Sequence, residues 1–214
     1  MSDRLAAMRR SYTLGGLDEG DLATTWLAQF ERWLADAAAA AITEPNAMVL
    51  ATADERGAPS ARTVLLKCVD ERGFVLYTNR DSRKGTQAAA NPRAALTFPW
   101  IDLQRQVCVT GRVEPVDDAE ADAYFASRPH GSKLGAHASP QSAVVGSRAE
   151  LEERLAALAL RWPAGAAVPR PERWGGLRVV PDGVEFWQGR ENRLHDRLRF
   201  RATGGGWVVE RLAP

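Results

Sequence analysis

Residues 47–79 read AMVLATADERGAPSARTVLLKCVDERGFVLYTN, and this stretch decides the fold class. Three runs rich in apolar and β-branched residues, 47–54, 61–70 and 74–79, are divided by DERGAPS and DERG. Asp and Gly at such short intervals are hairpin chemistry, so the runs are expected to be neighbouring antiparallel strands. The period differs on the N-terminal side. DEGDLATTWLAQFERWLADAAAAAI (18–42) has acids at its start and apolar residues at three-to-four spacing, Leu22, Trp26, Phe30 and Leu34; it predicts a helix.

On the C-terminal side the two periods alternate. SRKGTQAAANP predicts a short helix opened by Ser82 and stopped near Asn91-Pro92. RAALTFPW and RQVCVTGRVEPV predict a strand pair, and DDAEADAYFASRP a helix ended by Pro129. A Ser/Gly/His-rich connection follows. SRAELEERLAALALRWP then predicts an amphipathic helix capped by Ser147 and Glu150, and PAGAAVPRPERWGG a loop. LRVVP, GVEFWQG, RLHDRLRFRA and GGWVVERL predict antiparallel strands. No repeat or linker separates two cores, so residues 18–214 are expected to form one α+β domain. Residues 1–17, polar and ending in Gly15-Gly16, are expected to be a mobile arm. A barrel is favoured, because it leaves no exposed strand edge.

Composition narrows the function. The 214 residues carry 28 Lys and Arg against 27 Asp and Glu, which argues against bulk binding to nucleic acid or an anionic membrane. No apolar run reaches the roughly 18 residues of a membrane span, and the N-terminus lacks a signal peptide's apolar stretch. Cys68 and Cys108 lie in strand-like runs without a CxxC spacing, and are expected to be buried free thiols. His130, His137 and His195 form no metal-ligand spacing with them, so no metal site is expected. These features predict a cytoplasmic protein. Paired catalytic carboxylates, a GxSxG elbow, a Walker loop and a GxGxxG fingerprint are missing.

The remaining candidates are local cation clusters. Arg62 and Lys67 bracket RTVLLK; five residues apart, they face opposite ways on a regular strand and share a ligand only across a bulge. In YTNRDSRKG, Arg83 and Lys84 occupy the first turn of a helix, where cations are disfavoured unless an anion binds there. Trp187 stands before a Gly189 turn, and Arg193, His195 and Arg197 follow at strand spacing on one expected face. An aromatic plane beside cations suits a flat, phosphorylated heterocycle. Tyr124 and Arg128 can meet on one helix face, and Gln141-Ser142 can donate from a loop. Without a nucleophile or acid of its own, such a site takes its reactivity from a cofactor.

At these residues the chain resembles the pyridoxine/pyridoxamine 5′-phosphate oxidase family. RTVLLK, FVLYTNRDSRKG, NPRAALTFPW, LQRQVCVTGRVE, YFASRP, SPQS, PERWGGLRVVPDGVEFWQG and RLHDRL carry the resemblance in this order, and it spans nearly the whole chain. It implies an FMN-binding split β-barrel that acts as a homodimer, with FMN in the subunit interface. By resemblance, Arg62, Val64, Leu65, Lys67, Tyr77, Thr78, Arg83, Lys84 and Gln106 match flavin-binding positions. Gln141, Ser142, Trp187 and Arg197 match further flavin contacts, some given by the second subunit. Lys67, Tyr124, Arg128 and Ser132 match the substrate-phosphate positions. Arg193 and His195 match catalytic positions at the pyridine ring, and Arg9 and Tyr12 a segment that covers the substrate. The implied reaction oxidises pyridoxine or pyridoxamine 5′-phosphate to pyridoxal 5′-phosphate, with dioxygen reduced to hydrogen peroxide. The alternatives are a related flavin oxidase, such as those of phenazine biosynthesis, and a flavin or pyridoxal-phosphate carrier without turnover.

Overall fold

The hairpin chemistry of the opening stretch is realised in a computed structural model, which describes residues 7, 8 and 10–214. Strand β1 (Ala47–Ala53) pairs antiparallel with β2 (Pro59–Leu65) in the register Ala47↔Leu65 to Ala53↔Pro59. Their turn is held by the Asp54 carboxylate, which accepts from the backbone N–H of Arg56 and Ala58 at 3.0 and 2.8 Å. The expected strand 61–70 is broken in two. After Leu65 the chain steps aside at Leu66-Lys67, then resumes as β3 (Cys68–Asp70), which pairs with β4 (Gly73–Asn79).

The helices are α1 (Trp26–Ala39), α2 (Arg83–Ala90), α3 (Asp118–Ser127), α4 (His130–Ala138) and α5 (Arg148–Arg161). The remaining strands are β5 (Arg93–Trp100), β6 (Arg105–Pro115), β7 (Trp174–Gln188), β8 (Asp196–Thr203) and β9 (Gly206–Arg211). All strands join one antiparallel sheet in the order β2-β1-β5-β6-β7-β4-β3, with β8 on β7 and β9 on β8. LRVVP and GVEFWQG are one strand of 15 residues rather than two. One edge of β7 pairs with β6; along the other edge residues 174–179 pair with β4 and residues 183–188 with β8. The register shifts at Thr110/Gly111, opposite Pro181, which has no N–H for a ladder. Only glycine fits at 111, because a Cβ there lies 2.1 Å from the Val180 carbonyl oxygen. The change of partner along β7 divides the sheet, and the fold is an α+β split β-barrel.

Helix α1 plugs the barrel with the face its periodicity set out. Trp26, Phe30, Trp33 and Ala37 are buried; Phe30 meets Phe74 and Phe98 at ring-centroid distances of 5.0 and 4.9 Å, and Trp33 meets Phe186 edge-on at 5.3 Å. The helix is shorter than expected, because Thr25 caps it by accepting from the Ala28 N–H and the preceding acids form a separate turn, Glu19–Asp21. Two further expectations fail. The Ser/Gly/His-rich connection contains α4, stabilised by Leu134 packing with Phe125, Val168 and Trp174. Cys68 is exposed, since the break after Leu65 leaves it at the start of a three-residue edge strand; Cys108 is half-buried, and both thiols are free.

Ion pairs secure the last strands. Arg211 of β9 reaches Glu19 at 2.8 Å, Asp18 at 3.0 Å and Asp196 at 2.9 Å, tying the N-terminal segment to the sheet. Glu210 accepts from Arg199 and Arg201 across β8 and β9. Hydrogen bonds from Arg211 hold the Glu19 carboxyl at about 2, and those from Arg201 and Arg199 hold Glu210 at about 2, against the ordinary 4.5. Both acids have lowered folded-state values, so their stabilisation is complete above pH 4.5 and is lost as pH falls from 4.5 toward 2. The thermal midpoint is therefore expected to drop through that window, and the E19Q/E210Q double variant to drop less steeply; parallel pH profiles for the two proteins would contradict this.

Candidate functional site

The break at Leu66-Lys67 builds the site. Leu66 N–H donates to the Asn46 carbonyl and Lys67 N–H to the Val75 carbonyl, at 2.9 Å each. The step supplies the irregularity that the spacing of Arg62 and Lys67 demanded. Both line one cavity of about 340 Å³, together with Val64, Leu65, Thr78 and Lys84. Tyr77 and Gln141 also line it.

Helix α2 opens onto this groove. Ser82 caps it, accepting from the Gly85 N–H. Lys84 is buried, its Nζ donating to the hydroxyls of Thr78 at 3.0 Å and Ser82 at 3.3 Å. Arg62 donates to the Leu50 carbonyl at 3.1 Å, to Thr52 Oγ1 at 2.7 Å and to Ser60 Oγ. Neither cation has a carboxylate partner among the described residues. Burial, and then the neighbouring Arg62, pushes the Lys84 ammonium below the ordinary lysine value; burial, and then Arg83, does the same to Arg62. Desolvated cations held only by neutral acceptors are costly unless an anion completes them.

A second cavity of about 400 Å³ adjoins the first, sharing Lys67, Tyr77, Thr78 and Gln141 with it. It adds Tyr124 and Arg128 at the end of α3 and Ser132 of α4. Tyr77 stacks on Tyr124 at 4.1 Å and on Trp174 at 5.3 Å, within 12° of parallel. Burial pushes the Tyr77 phenol up to about 12, so it stays protonated at neutral pH. The Arg128 guanidinium lies 4.9 Å over the Trp174 ring, and its buried Nη1 has no hydrogen-bond partner. Arg128 is among the residues lining this cavity, and a guanidinium at a cavity wall suits an anion. The Gln141 Oε1 accepts from Thr78 Oγ1 at 2.9 Å and from the Asn79 N–H at 3.2 Å, which seats the loop carrying Ser142, a residue at φ 77°.

The remaining candidates lie elsewhere. Gln106, Trp187 and Arg197 are cross-strand partners on β6, β7 and β8. Trp187 contacts His195 at 4.7 Å and Tyr12 at 5.8 Å, and these line a cavity of about 600 Å³ with Arg193. The Arg190 N–H donates to His195 Nδ1 at 3.1 Å, so in the neutral ring the proton sits on Nε2. Trp174 and Trp187, which mark the two regions, are 13 residues apart on β7, up to about 40 Å along a straight strand. Within one chain the two regions share no lining residue.

The row of Arg193, His195 and Arg197 on one strand face is a correction. Asn192 and Arg193 take positive φ in a tight turn, and β8 starts only at Asp196, so Arg193 and His195 are not strand residues. Arg197 forms two hydrogen bonds to Glu185 at 2.8 and 3.0 Å, and Arg199 pairs with Glu210. Opposing carboxylates relieve the repulsion there. Arg9 lies outside the described residues. Trp174 was missed as a lining residue, although its WGG sequence marked it, and Asn79 carried no signal.

Comparison with known proteins agrees with this geometry. The profile of a family described as Pyridoxamine 5′-phosphate oxidase matches residues 34–161, and a Pyridoxine 5′-phosphate oxidase C-terminal dimerisation region matches residues 174–214. A pyridoxine/pyridoxamine 5′-phosphate oxidase of Salinispora arenicola is 60% identical, covering 98% of this chain and 96% of its own. One from Synechocystis is 56% identical, covering 98% of each. Among solved structures, PhzG from Burkholderia lata, in complex with tetrahydrophenazine-1-carboxylic acid, superposes with a TM-score of 0.89 at 31% identity. It covers 96% of this chain and all of its own. An FMN-binding protein of Nostoc punctiforme related to pyridoxamine 5′-phosphate oxidase shares the fold, with a TM-score of 0.70 at 17% identity over 91% and 99% of the two chains.

If Lys84 and Arg62 await an anion, inorganic phosphate is expected to raise the thermal midpoint of the flavin-free protein, the rise growing with the logarithm of its concentration once that exceeds the dissociation constant. K84M is expected to lose most of that rise while matching or exceeding the wild-type midpoint without phosphate. An unchanged phosphate response in K84M would remove Lys84 from the anion site.

Proposed function

We propose, from the premise that the chain belongs to the pyridoxamine 5′-phosphate oxidase family and is an oxidoreductase, that it oxidises pyridoxine 5′-phosphate and pyridoxamine 5′-phosphate to pyridoxal 5′-phosphate. Dioxygen is the terminal acceptor, hydrogen peroxide is released, and the amine substrate also yields ammonia. The observation that carries the proposal is the pair of adjoining cavities lined by Arg62, Lys84, Lys67 and Arg128, cations without carboxylate partners among the described residues. Two neighbouring anion receptors beside stacked aromatic rings suit two flat phosphorylated molecules, one cofactor and one substrate.

FMN fits the first receptor: Arg62 of β2, with Arg83 and Lys84 at the start of α2, takes its phosphate, and Val64, Leu65, Tyr77, Thr78 and Gln141 flank it. When bound, FMN supplies the hydride acceptor and returns the electrons to dioxygen. Lys67, Tyr124, Arg128 and Ser132, which line the second cavity together, take the substrate phosphate. Arg193 and His195 orient the pyridine ring and stabilise charge on its phenolic oxygen, an electrostatic and positioning role. His195 donates from Nε2, since its Nδ1 is occupied by the Arg190 N–H. Tyr12, packed on Trp187 and His195, helps exclude water. Arg9 belongs to the same proposed cover.

The wide separation of Trp174 and Trp187 along β7 supports a homodimer. In it, Gln106, Trp187, Arg193, His195 and Arg197 of one protomer complete the cavities of the other, and Ser142 adds a contact from its loop. The match of residues 174–214 to a dimerisation region supports the same assembly.

A flavin oxidase of another pathway is the second reading, favoured by the superposition on PhzG. Aerobic turnover separates the two. The purified protein is expected to carry flavin, and to form pyridoxal 5′-phosphate and peroxide from either phosphorylated vitamer; flavin without such turnover would favour the second reading. R193A and H195N are each expected to lower kcat by about 100-fold or more while retaining FMN. Loss of the flavin from both variants would overturn the division of roles.

A further inference from the structure

Gln87 is buried on α2, one turn beyond Arg83 and Lys84, and belongs to none of the cavities described above. Its side-chain oxygen Oε1 accepts two hydrogen bonds, from Thr52 Oγ1 of β1 and from Ser60 Oγ of β2, both at 2.6 Å. The same two hydroxyls accept from Arg62, Thr52 from Nη1 and Ser60 from Nη2. A hydroxyl has one hydrogen to give. With both hydrogens directed to Gln87, the lone pairs of both oxygens are left to the guanidinium. The backbone carbonyl of Leu50 takes a further Nη1 bond. Arg62 is thus gripped on its inner side by three oxygens, all of them neutral.

We infer that Gln87 is a positioning residue for the cofactor phosphate, acting through Thr52 and Ser60 to hold the Arg62 guanidinium in one orientation with its charge uncompensated. The chemistry of the acceptor decides the outcome. A carboxylate at position 87 would take the same two hydroxyl hydrogens, but it would place a negative charge beside Arg62 and compete with any phosphate for it. An apolar residue would leave both hydroxyl hydrogens without their acceptor and the two oxygens free to move away from the guanidinium. The amide alone orients the arginine and leaves its charge in place. Because Gln87 and Lys84 share a face of α2, the same contact also fixes the depth at which the helix start meets the groove.

The inference rests on the proposed flavin site, and a double-mutant cycle separates the two. FMN affinity is measured by titrating flavin-free protein and following the quenching of flavin fluorescence, for wild type, R62A, Q87M and R62A/Q87M. R62A is expected to weaken FMN by about 100-fold and Q87M by about tenfold, as for loss and misalignment of a charge-assisted contact. The double variant is expected to stay within about twofold of R62A, since Gln87 acts only through Arg62. If R62A leaves FMN affinity unchanged, the groove is not the phosphate site and the underlying proposal fails. If R62A weakens binding but Q87M does not, or if Q87M costs as much without Arg62 as with it, the role of Gln87 is structural and the inference fails. T52V and S60A remove one hydroxyl each and carry the same test should Q87M not fold; each is expected to weaken FMN about threefold or more, and wild-type affinity in both would overturn the inference.

Discussion

The pairing of β7 is the constraint on which the rest of the structure depends. Of its 15 residues, 177–188 give one edge to β6, and the other edge is divided between β4 and β8. A strand can serve two partners on one edge only if they follow one another along it, and the bulge at Thr110/Gly111 marks where the exchange occurs. The exchange sets the polarity of the molecule. The β4 half carries Tyr77 and Thr78 beside Trp174 and, through Arg178, draws in α3. The buried Arg178 guanidinium reaches Asp70 at 2.7 Å and Glu120 at 3.2 Å, joining the β3–β4 hairpin to the helix that carries Tyr124 and Arg128. The β8 half carries Trp187, and the turn after it carries Arg193 and His195.

That polarity explains why the candidate residues form two groups in one chain. Each half of β7 organises a region that is incomplete as a receptor for a flat organic phosphate. One has phosphate-binding cations and an aromatic stack; the other has an imidazole, a guanidinium and an indole. On the proposed reading a second copy of the chain brings them together, and the match of residues 174–214 to a dimerisation region is in keeping with that.

Much of this was legible in the residues, and the parts that were not have physical reasons. Asp and Gly between apolar runs exposed the hairpins, and the spacing of Trp26, Phe30 and Leu34 exposed α1, because those signals are local. The break at Leu66-Lys67 could be posed only as a condition, since a bulge arises from competition between the carbonyls of Asn46 and Val75 for neighbouring N–H groups. Helix α4 was hidden because Gly131, Ser132 and Gly135 are poor helix formers; burial of Leu134 against Trp174 and Phe125 outweighs that local preference. The alternation of Arg193, His195 and Arg197 suggested a strand that the positive φ of Asn192 and Arg193 prevents. Whether a thiol such as Cys68 is covered depends on which strand lies at the edge, and that is a property of topology.

The partners of the arginines separate structural ones from those proposed to hold a ligand. Arg178, Arg199 and Arg211 all meet carboxylates, and each joins two segments of the sheet or its flanks. Arg62 and Arg128 are also partly buried, yet Arg62 is held by hydroxyls and a carbonyl, and Arg128 lies over an indole with one donor unused. Lys84 follows the second pattern, with two hydroxyls. A carboxylate in any of these three places would stabilise the empty protein and weaken its hold on an anion by the same interaction. Neutral acceptors resolve that conflict: they satisfy enough donors to keep the cation in position, and leave its charge for whatever enters the groove. Sequence composition cannot reveal this difference, because the two kinds of arginine are the same residue. It appears only when the acceptor facing each guanidinium is known: a carboxylate for Arg178, Arg199 and Arg211, and neutral oxygens for Arg62.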